Sequence, residues 1–367
     1  MLFDRLVTTS ADLRGVRARN KKRTLLATLL ADTPPSLVPV VVAYLSGDLP
    51  QGKIGLGWAA VRDAQTRGAP TPTLTVEEVD RSLEEIGRCE GAGSQKEKHE
   101  RFTELLARAT EAEQSFLGQL VIGELRQGAL EGVMLDAIAQ AFEVPLAAVR
   151  RAAMMAGSAP EIGRAAATEG EAGLDRFQLT LFRPVQPMLA QPAEEVDDAL
   201  DRHGESAFEV KVDGARIQIH KRGNDVRIYT RGLHDVTERV PDIVEVVRAF
   251  PAQELIADGE AVALRGDGRP EPFQVTMGRF GGRLEVNAMR ESVPLTTYLF
   301  DCLWLDGEAL IDLSLSDRFT ALQRGTSEAV LLPRIITSDR DKAQQFFEDS
   351  LAAGHEGAMA KALSAPY

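Results

Sequence analysis

Near Phe177 the repeat of apolar residues changes from three and four residues to two, and a chain with such a switch folds as separate helical and strand-rich parts. Before the switch, Phe116, Leu117, Leu120, Val121 and Leu125 form one stripe at helical spacing. Pro34-Pro35, the segment from Gly47 to Gly57 and that from Gly68 to Pro72 punctuate further helices, so residues 1–156 are expected to be an all-helical domain. Residues 157–173 are rich in Ala, Gly and Glu with only Ile162 as a large aliphatic, and a linker is expected over 157–176. Beyond it, two alternating runs in F-E-V-K-V-D-G-A-R-I-Q-I-H flank Asp213-Gly214, a dipeptide suited to a tight hairpin. A two-residue loop would pair Lys211 with Arg216 and Glu209 with Gln218, leaving Val210, Val212, Ala215 and Ile217 as the apolar face. Strand patterns recur at 226–230, 254–264, 297–305 and 357–362, so residues 177–367 are expected to be an α+β domain, mostly antiparallel.

A length of 367 residues suits two or three domains, and 44% apolar with 26% charged residues excludes wholesale disorder. The longest strongly apolar stretch, Ser36 to Leu45, is far short of the roughly 18 residues a membrane span needs and contains Pro39. Asp4 and Arg5 interrupt any signal-peptide core, and two cysteines cannot make a disulfide framework, so a cytoplasmic protein with no membrane partner is expected. Cys89, Cys302 and the five histidines show no metal-ligand spacing, and no structural zinc is expected. The formal charge of −13 argues mildly against a polyanionic partner. Against that average, Arg14, Arg17, Arg19, Lys21, Lys22 and Arg23 place six cations in ten residues with no acid between them. Such a run is either a solvated helix face or a phosphate-binding patch.

The segment Lys211-Val212-Asp213-Gly214-Ala215-Arg216 resembles the K-x-D-G-x-R signature of the covalent nucleotidyltransferases, which include DNA ligases, RNA ligases and mRNA capping enzymes. In the family's order follow Y-T-R-G at 229–232, A-D-G-E-A at 257–261, Y-L-F-D-C-L-W-L-D-G at 298–307 and H-E-G-A-M-A-K at 355–361. Together with F-R-P-V-Q-P-M-L-A-Q at 182–191 and P-F-Q-V at 272–275, they resemble the nucleotide-binding motifs of ATP-dependent DNA ligases. G-E-L-R-Q-G at 123–128 and A-I-A-Q-A-F at 137–142 are similar to the helical DNA-binding domain that precedes the catalytic core in some of these ligases. The resemblance implies an ATP-grasp-like nucleotidyltransferase domain, nicked double-stranded DNA as partner, ATP and Mg²⁺ as cofactors, and a monomer. It also adds weight to the basic run as a phosphate-binding patch.

By this resemblance Lys211 is the nucleophile that takes AMP from ATP, AMP then passes to the 5′-phosphate at a nick, and the 3′-hydroxyl displaces it. An amine attacks only unprotonated, a form that neighbouring cations and burial favour. Glu209 would accept a hydrogen bond from the adenine amino group, and Arg216 and Arg231 would hold ribose or phosphate oxygens with their planar forks. Phe300 would stack on adenine, although Tyr298, Phe300, Cys302 and Trp304 also read as one buried strand face. Glu260 and Glu356 are the expected metal carboxylates, Glu260 being part of the nucleotide site as well. Lys361 belongs to the nucleotide site by its motif, yet five residues from Glu356 it would point to the opposite face of a regular strand.

After this motif the family continues with a lysine-bearing strand, motif V, and an OB-fold domain, whereas the sequence ends at Tyr367. The expectation is therefore a core incomplete at its C-terminus, with impaired catalysis. An RNA ligase or capping-type enzyme, and an idle nick-binding fragment, stay open as alternatives; the helical domain counts against the first.

Overall fold

The computed structural model describes residues 1–125, 131–281 and 286–367, in two compact units, Met1–Gln178 and Leu179–Tyr367. Residues 126–128 of the G-E-L-R-Q-G motif lie outside the described residues.

The first unit is helical, with α1 (Phe3–Gly15), α2 (Arg19–Ala31), α3 (Val38–Ser46), α4 (Trp58–Asp63), α5 (Val76–Arg88), α6 (Ser94–Arg108), α7 (Glu111–Val121), α8 (Glu131–Ala141), α9 (Leu146–Ala156) and α10 (Ala159–Leu174). Breaks fall at the proline and glycine clusters: α2 ends before Pro34, and Gly47 closes α3 with φ +86°. Thr75 and Thr110 start α5 and α7 with capping boxes to Glu78 and Glu113, satisfying donors that a helix end leaves open. The stripe on α7 buries Phe116, Leu117 and Leu120, and Phe116 meets Phe3 of α1 edge-on at 5.6 Å.

The segment expected as a linker forms α10 instead, and it belongs to the helical unit. Ile162, Gly163, Ala165, Ala166 and Leu174 are buried. A Cβ at position 163 would approach Val38 Cγ1 to 3.0 Å and Val42 Cγ2 to 3.3 Å, so the small residues let α10 lie close against α3. Scarcity of large aliphatics here marks tight helix packing, not an absent core.

The second unit contains α11 (Val196–His203), β1 (Ser206–Lys211), β2 (Ala215–Arg222), β3 (Asp225–Thr230), α12 (Pro241–Arg248), β4 (Glu254–Ala263), α13 (Phe273–Gly281), α14 (Val286–Ser292), β5 (Leu295–Leu305), β6 (Glu308–Ala309), α15 (Leu315–Gly325), β7 (Arg334–Thr337), α16 (Arg340–Ala352) and β8 (Gly357–Ala362). Its strands form two antiparallel sheets, one ordered β7-β1-β8 and the other β3-β2-β4-β5-β6.

The expected hairpin is therefore not formed. Strand β1 pairs with β7 and β8, β2 pairs with β3 and β4, and residues 212–214 cross from one sheet to the other. Burial gives the reason: β1 is covered from Ser206 to Val210, so alternation with one wet face does not describe it. Gly214 serves close approach instead of a turn, since a Cβ there would meet the Ala261 carbonyl oxygen at 2.5 Å and Glu260 Cγ at 2.8 Å.

In the five-stranded sheet, Ala215, Ile217 and Ile219 face the main core with Ala257, Ala261, Leu299 and Cys302. The opposite face of β2 carries Arg216, Gln218 and His220, registered against Glu260, Asp258 and Ile256 of β4. This second face is polar yet covered, because residues 180–188 lie along it. The N–H of Phe182 donates to His220 Nδ1 at 2.9 Å, Tyr229 Oη donates to the Phe182 carbonyl at 2.9 Å, and the N–H of Val185 donates to Gln218 Oε1 at 2.8 Å.

Candidate active site

The residues singled out from the sequence come from separate elements and line one cleft of about 1610 Å³. Glu209 and Lys211 end β1, Arg216 begins β2, Arg231 follows β3, Glu260 lies on β4, Phe300 on β5, and Glu356 and Lys361 bracket β8. The cleft is lined by residues of both sheets, which the 212–214 crossing links by carrying the chain from the end of β1 to the start of β2.

Lys211 forms an ion pair with Glu356, both about half exposed, so the amine stands open to a substrate in the cleft. Glu356 sits outside the regular strand: its N–H donates to the Lys211 carbonyl at 3.1 Å, and Gly357 follows with φ +143°. Counting alternation from Glu356 to Lys361 is thus invalid, and the expectation that they point apart is corrected: both line the cleft. Lys361 is registered with Ala207, two residues from Glu209 on the same face, and its Nζ lies 2.6 Å from Glu209 Oε2.

Glu209 is almost fully buried, and its other oxygen pairs with Arg334 Nη2 at 2.5 Å. Two cations thus offset the cost of burying this carboxylate. Arg334 carried no sequence signal; it lies on β7, a four-residue strand without a long alternating pattern, and its guanidinium covers the Phe319 ring at 3.6 Å.

Phe300 owes its placement to irregularity in β5. Asp258 is registered with Asp301 and Gly259 with Leu299, so Phe300 is the extra residue of a β-bulge, and Leu303 is a second. The reading of Tyr298, Phe300, Cys302 and Trp304 as one buried face fails here: Cys302 is in the core while Phe300 lines the cleft. Lys361 Nζ and Arg216 Cζ lie 4.5 and 5.2 Å from the Phe300 ring centre, which suits a ring with negative faces.

Arg216 pairs with Asp258 at 2.6 Å and donates to the Met188 carbonyl at 3.0 Å, while Arg231 is exposed at the cleft wall. Asp258 and Tyr367 were not singled out from the sequence; the first was visible in A-D-G-E-A only as part of a motif. Glu260 is raised to about 8, chiefly by burial, with Asp213 and Asp258 adding to the shift and Arg216 and Lys211 opposing it. A cation beside it would favour its ionised form. Among the described residues no three His, Cys, Asp or Glu side chains gather as a ready metal cluster. One or two carboxylates completed by phosphate oxygens and water is a donor set that fits Mg²⁺.

Of the basic run in the first unit, Arg14 donates to Gln119 at 3.0 Å and Arg19 pairs with Asp136 at 2.8 Å, while Arg17 and Lys21 are exposed. No helix among the described residues is long and apolar enough to cross a membrane.

The fold and cleft of the second unit define a nucleotidyltransferase-type core, in a chain that also carries a helical unit, and comparison with known proteins agrees. Residues 187–367 match the family model "ATP dependent DNA ligase domain", and residues 51–139 match "DNA ligase N terminus". A "Probable DNA ligase" of Anaeromyxobacter sp. (strain Fw109-5) is 51% identical over 369 aligned positions, covering 100% of this chain and 71% of that protein. A "Probable DNA ligase" of Mycobacterium sp. (strain KMS) is 50% identical over 372 positions with the same two coverages. The solved structure called "Pmar-Lig_Pre." shares the fold with TM-score 0.56 at 13% identity, covering 99% of this chain and 75% of its own. The chain belongs to the ATP-dependent DNA ligases.

Proposed function

We propose that the chain joins nicked duplex DNA through an AMP carried on Lys211. In the first step the Lys211 amine attacks the α-phosphorus of ATP, forming a phosphoramidate and releasing pyrophosphate. AMP then passes to the 5′-phosphate at the nick, and the 3′-hydroxyl displaces it as the phosphodiester forms. The observation that carries this reading is the convergence of Lys211, Arg216, Arg231, Glu260, Phe300, Glu356 and Lys361 on one cleft from both sheets.

Phe300 offers a ring face for adenine, and Glu209 an acceptor for its amino group once one of its two cations yields an oxygen. Arg216, held by Asp258, and Arg231 supply planar donors to ribose and phosphate oxygens. The ion pair with Glu356 directs the Lys211 side chain into the cleft. Glu260 and Glu356 are the residues that would hold Mg²⁺, which would supply positive charge beside the transferring phosphoryl group. Arg17 and Lys21 support duplex binding by the helical unit through phosphate contacts, without base reading.

Incubation with α-labelled ATP and Mg²⁺ tests the first step. Label is expected on Lys211 and lost in Lys211→Ala; undiminished labelling of that variant removes the nucleophile assignment.

A further inference from the structure

Residues 363–367 are held in place by many contacts, and the last of them, Tyr367, lines the cleft. Ser316 N–H donates to the Leu363 carbonyl at 3.2 Å, Arg318 Nη1 donates to the Ala365 carbonyl at 2.9 Å, and Tyr367 N–H donates to the Ile311 carbonyl at 3.0 Å. These bonds fix where the Tyr367 ring goes. Its hydroxyl then donates to Asp258 Oδ2, accepts from the Met188 N–H at 3.1 Å, and lies 3.4 Å from Arg216 Nη2.

Three separate pieces of chain thus meet at one oxygen: β4 through Asp258, β2 through Arg216, and the covering segment through Met188. Asp258 is fully buried and accepts from Arg216 at 2.6 Å and from Gln218 at 3.1 Å as well. Arg216 also donates to the Met188 carbonyl, so Met188 is gripped at both its N–H and its C=O. The residues that follow, Leu189, Ala190 and Gln191, line the cleft. A buried hydroxyl with a carboxylate acceptor stays protonated, and burial together with Asp258 pushes this phenol upward.

We propose that Tyr367 is a positioning residue for nucleotide binding: its hydroxyl locks Asp258, Arg216 and Met188 into the one arrangement that presents the Arg216 guanidinium and residues 189–191 to ATP. This deepens the reading of the cleft as an ATP site and rests on it. Without the hydroxyl, Asp258 loses a charge-assisted partner and the Met188 N–H is left without an acceptor in a covered place. Arg216 remains paired but gains freedom to rotate, and the loss falls on ligand binding more than on folding.

Tyr367→Phe in the full 367-residue chain keeps the ring and removes only the oxygen. ATP affinity is measured by calorimetry, and melting is followed with and without ATP, because bound ligand raises the melting temperature according to its affinity. The expected result is about tenfold weaker ATP binding and a smaller ATP-induced rise in melting temperature, with the ligand-free melting temperature within a few degrees of the unsubstituted chain. Asp258→Asn, which preserves shape and removes the shared charge, should weaken ATP as well, and the double variant should lose less than the product of the two. A fall in ligand-free melting temperature with unchanged ATP affinity overturns the proposal and leaves Tyr367 a structural residue. Unchanged behaviour on both counts also overturns it. Failure of the unsubstituted chain to bind ATP overturns the reading of the cleft itself, a result distinct from either.

Discussion

Arg318→Met should unfold the second unit more readily than any surface change, by an amount the structure allows to be estimated. Arg318 and Asp301 are each about 1% exposed, and the guanidinium grips the carboxylate with two bonds, Nε to Oδ1 at 2.7 Å and Nη2 to Oδ2 at 3.1 Å. Nη1 donates to the carbonyls of Leu313 and Ala365. Methionine fills much of the same volume but leaves Asp301 buried with one remaining donor, the Cys302 N–H at 2.9 Å. Removing one partner of a buried pair costs about 3–5 kcal/mol, because the other charge stays uncompensated. For a unit of this size that is a drop of roughly 6–20 °C in melting temperature. The two tryptophans make the assay selective: Trp58 is in the first unit and Trp304 in the second, so Trp58→Phe leaves fluorescence that reports β5 alone. Urea titration of that background with and without Arg318→Met gives the difference. Adding Asp301→Leu to Arg318→Met should recover part of the loss, since the stranded charge is gone. A cost under about 1 kcal/mol for the single variant, or no recovery in the double, would refute the reasoning that the pair is dry and mutually dependent.

Acid should weaken the second unit through His220, which is lowered to about 3 by burial, with Asp258 opposing. Between pH 6.5 and 3 the unfolded chain takes up a proton there that the folded unit does not, so stability is full above 6.5 and falls below it, by about 2 kcal/mol at pH 5. His220→Gln should flatten that slope in urea titrations from pH 7 to 5; an unchanged slope would assign the acid sensitivity elsewhere. Gly214→Ala should cost about 1–3 kcal/mol and lower ATP affinity, because the added methyl has no room beside Ala261 and Glu260; wild-type ATP binding by this variant would show that the crossing yields easily. Reversing Arg17 and Lys21 to Glu should weaken duplex DNA binding at low salt and reduce the salt slope by about 2, read by anisotropy over a salt series. Affinity unchanged at low salt would return the basic run to a solvated helix face.

The sequence shows most of what is periodic here and little of what depends on distant partners. The α7 stripe, the break at Pro34-Pro35 and the strands at 226–230 and 254–264 were legible because their signals are local. The hairpin at Asp213-Gly214 was misread for a physical reason. An alternating run followed by a turn dipeptide fits a hairpin, but it fits equally a strand that leaves one sheet and enters another, and only the burial of both β1 faces separates the two. Helix α10 was missed because small residues have low individual hydrophobicity while permitting close approach to α3. In the cleft, each motif contributed residues that reach the site, yet Arg334, Tyr367 and the Asp301–Arg318 pair stayed hidden. Their roles come from the partners they meet across 125, 109 and 17 residues of chain. No local pattern encodes such pairings.

The crossing at 212–214 explains why the K-V-D-G-A-R spacing has the length it has. Pairing with β8 reaches Lys211 through Gly357, and eight pairs with β4 fix β2 from Ala215 onward, so neither end can slide. Between those two anchors there are four Cα steps, about 13–14 Å when extended, which bounds the gap this segment can span between the sheets. Alternation then decides the chemistry: Ala215 enters the core, and Arg216, next along, must face the cleft. A hairpin would have put Lys211 and Arg216 side by side on one surface. The crossing instead sets them on different sheets that line one cleft, so a ligand held there can meet the Lys211 amine and the Arg216 guanidinium from separately anchored elements.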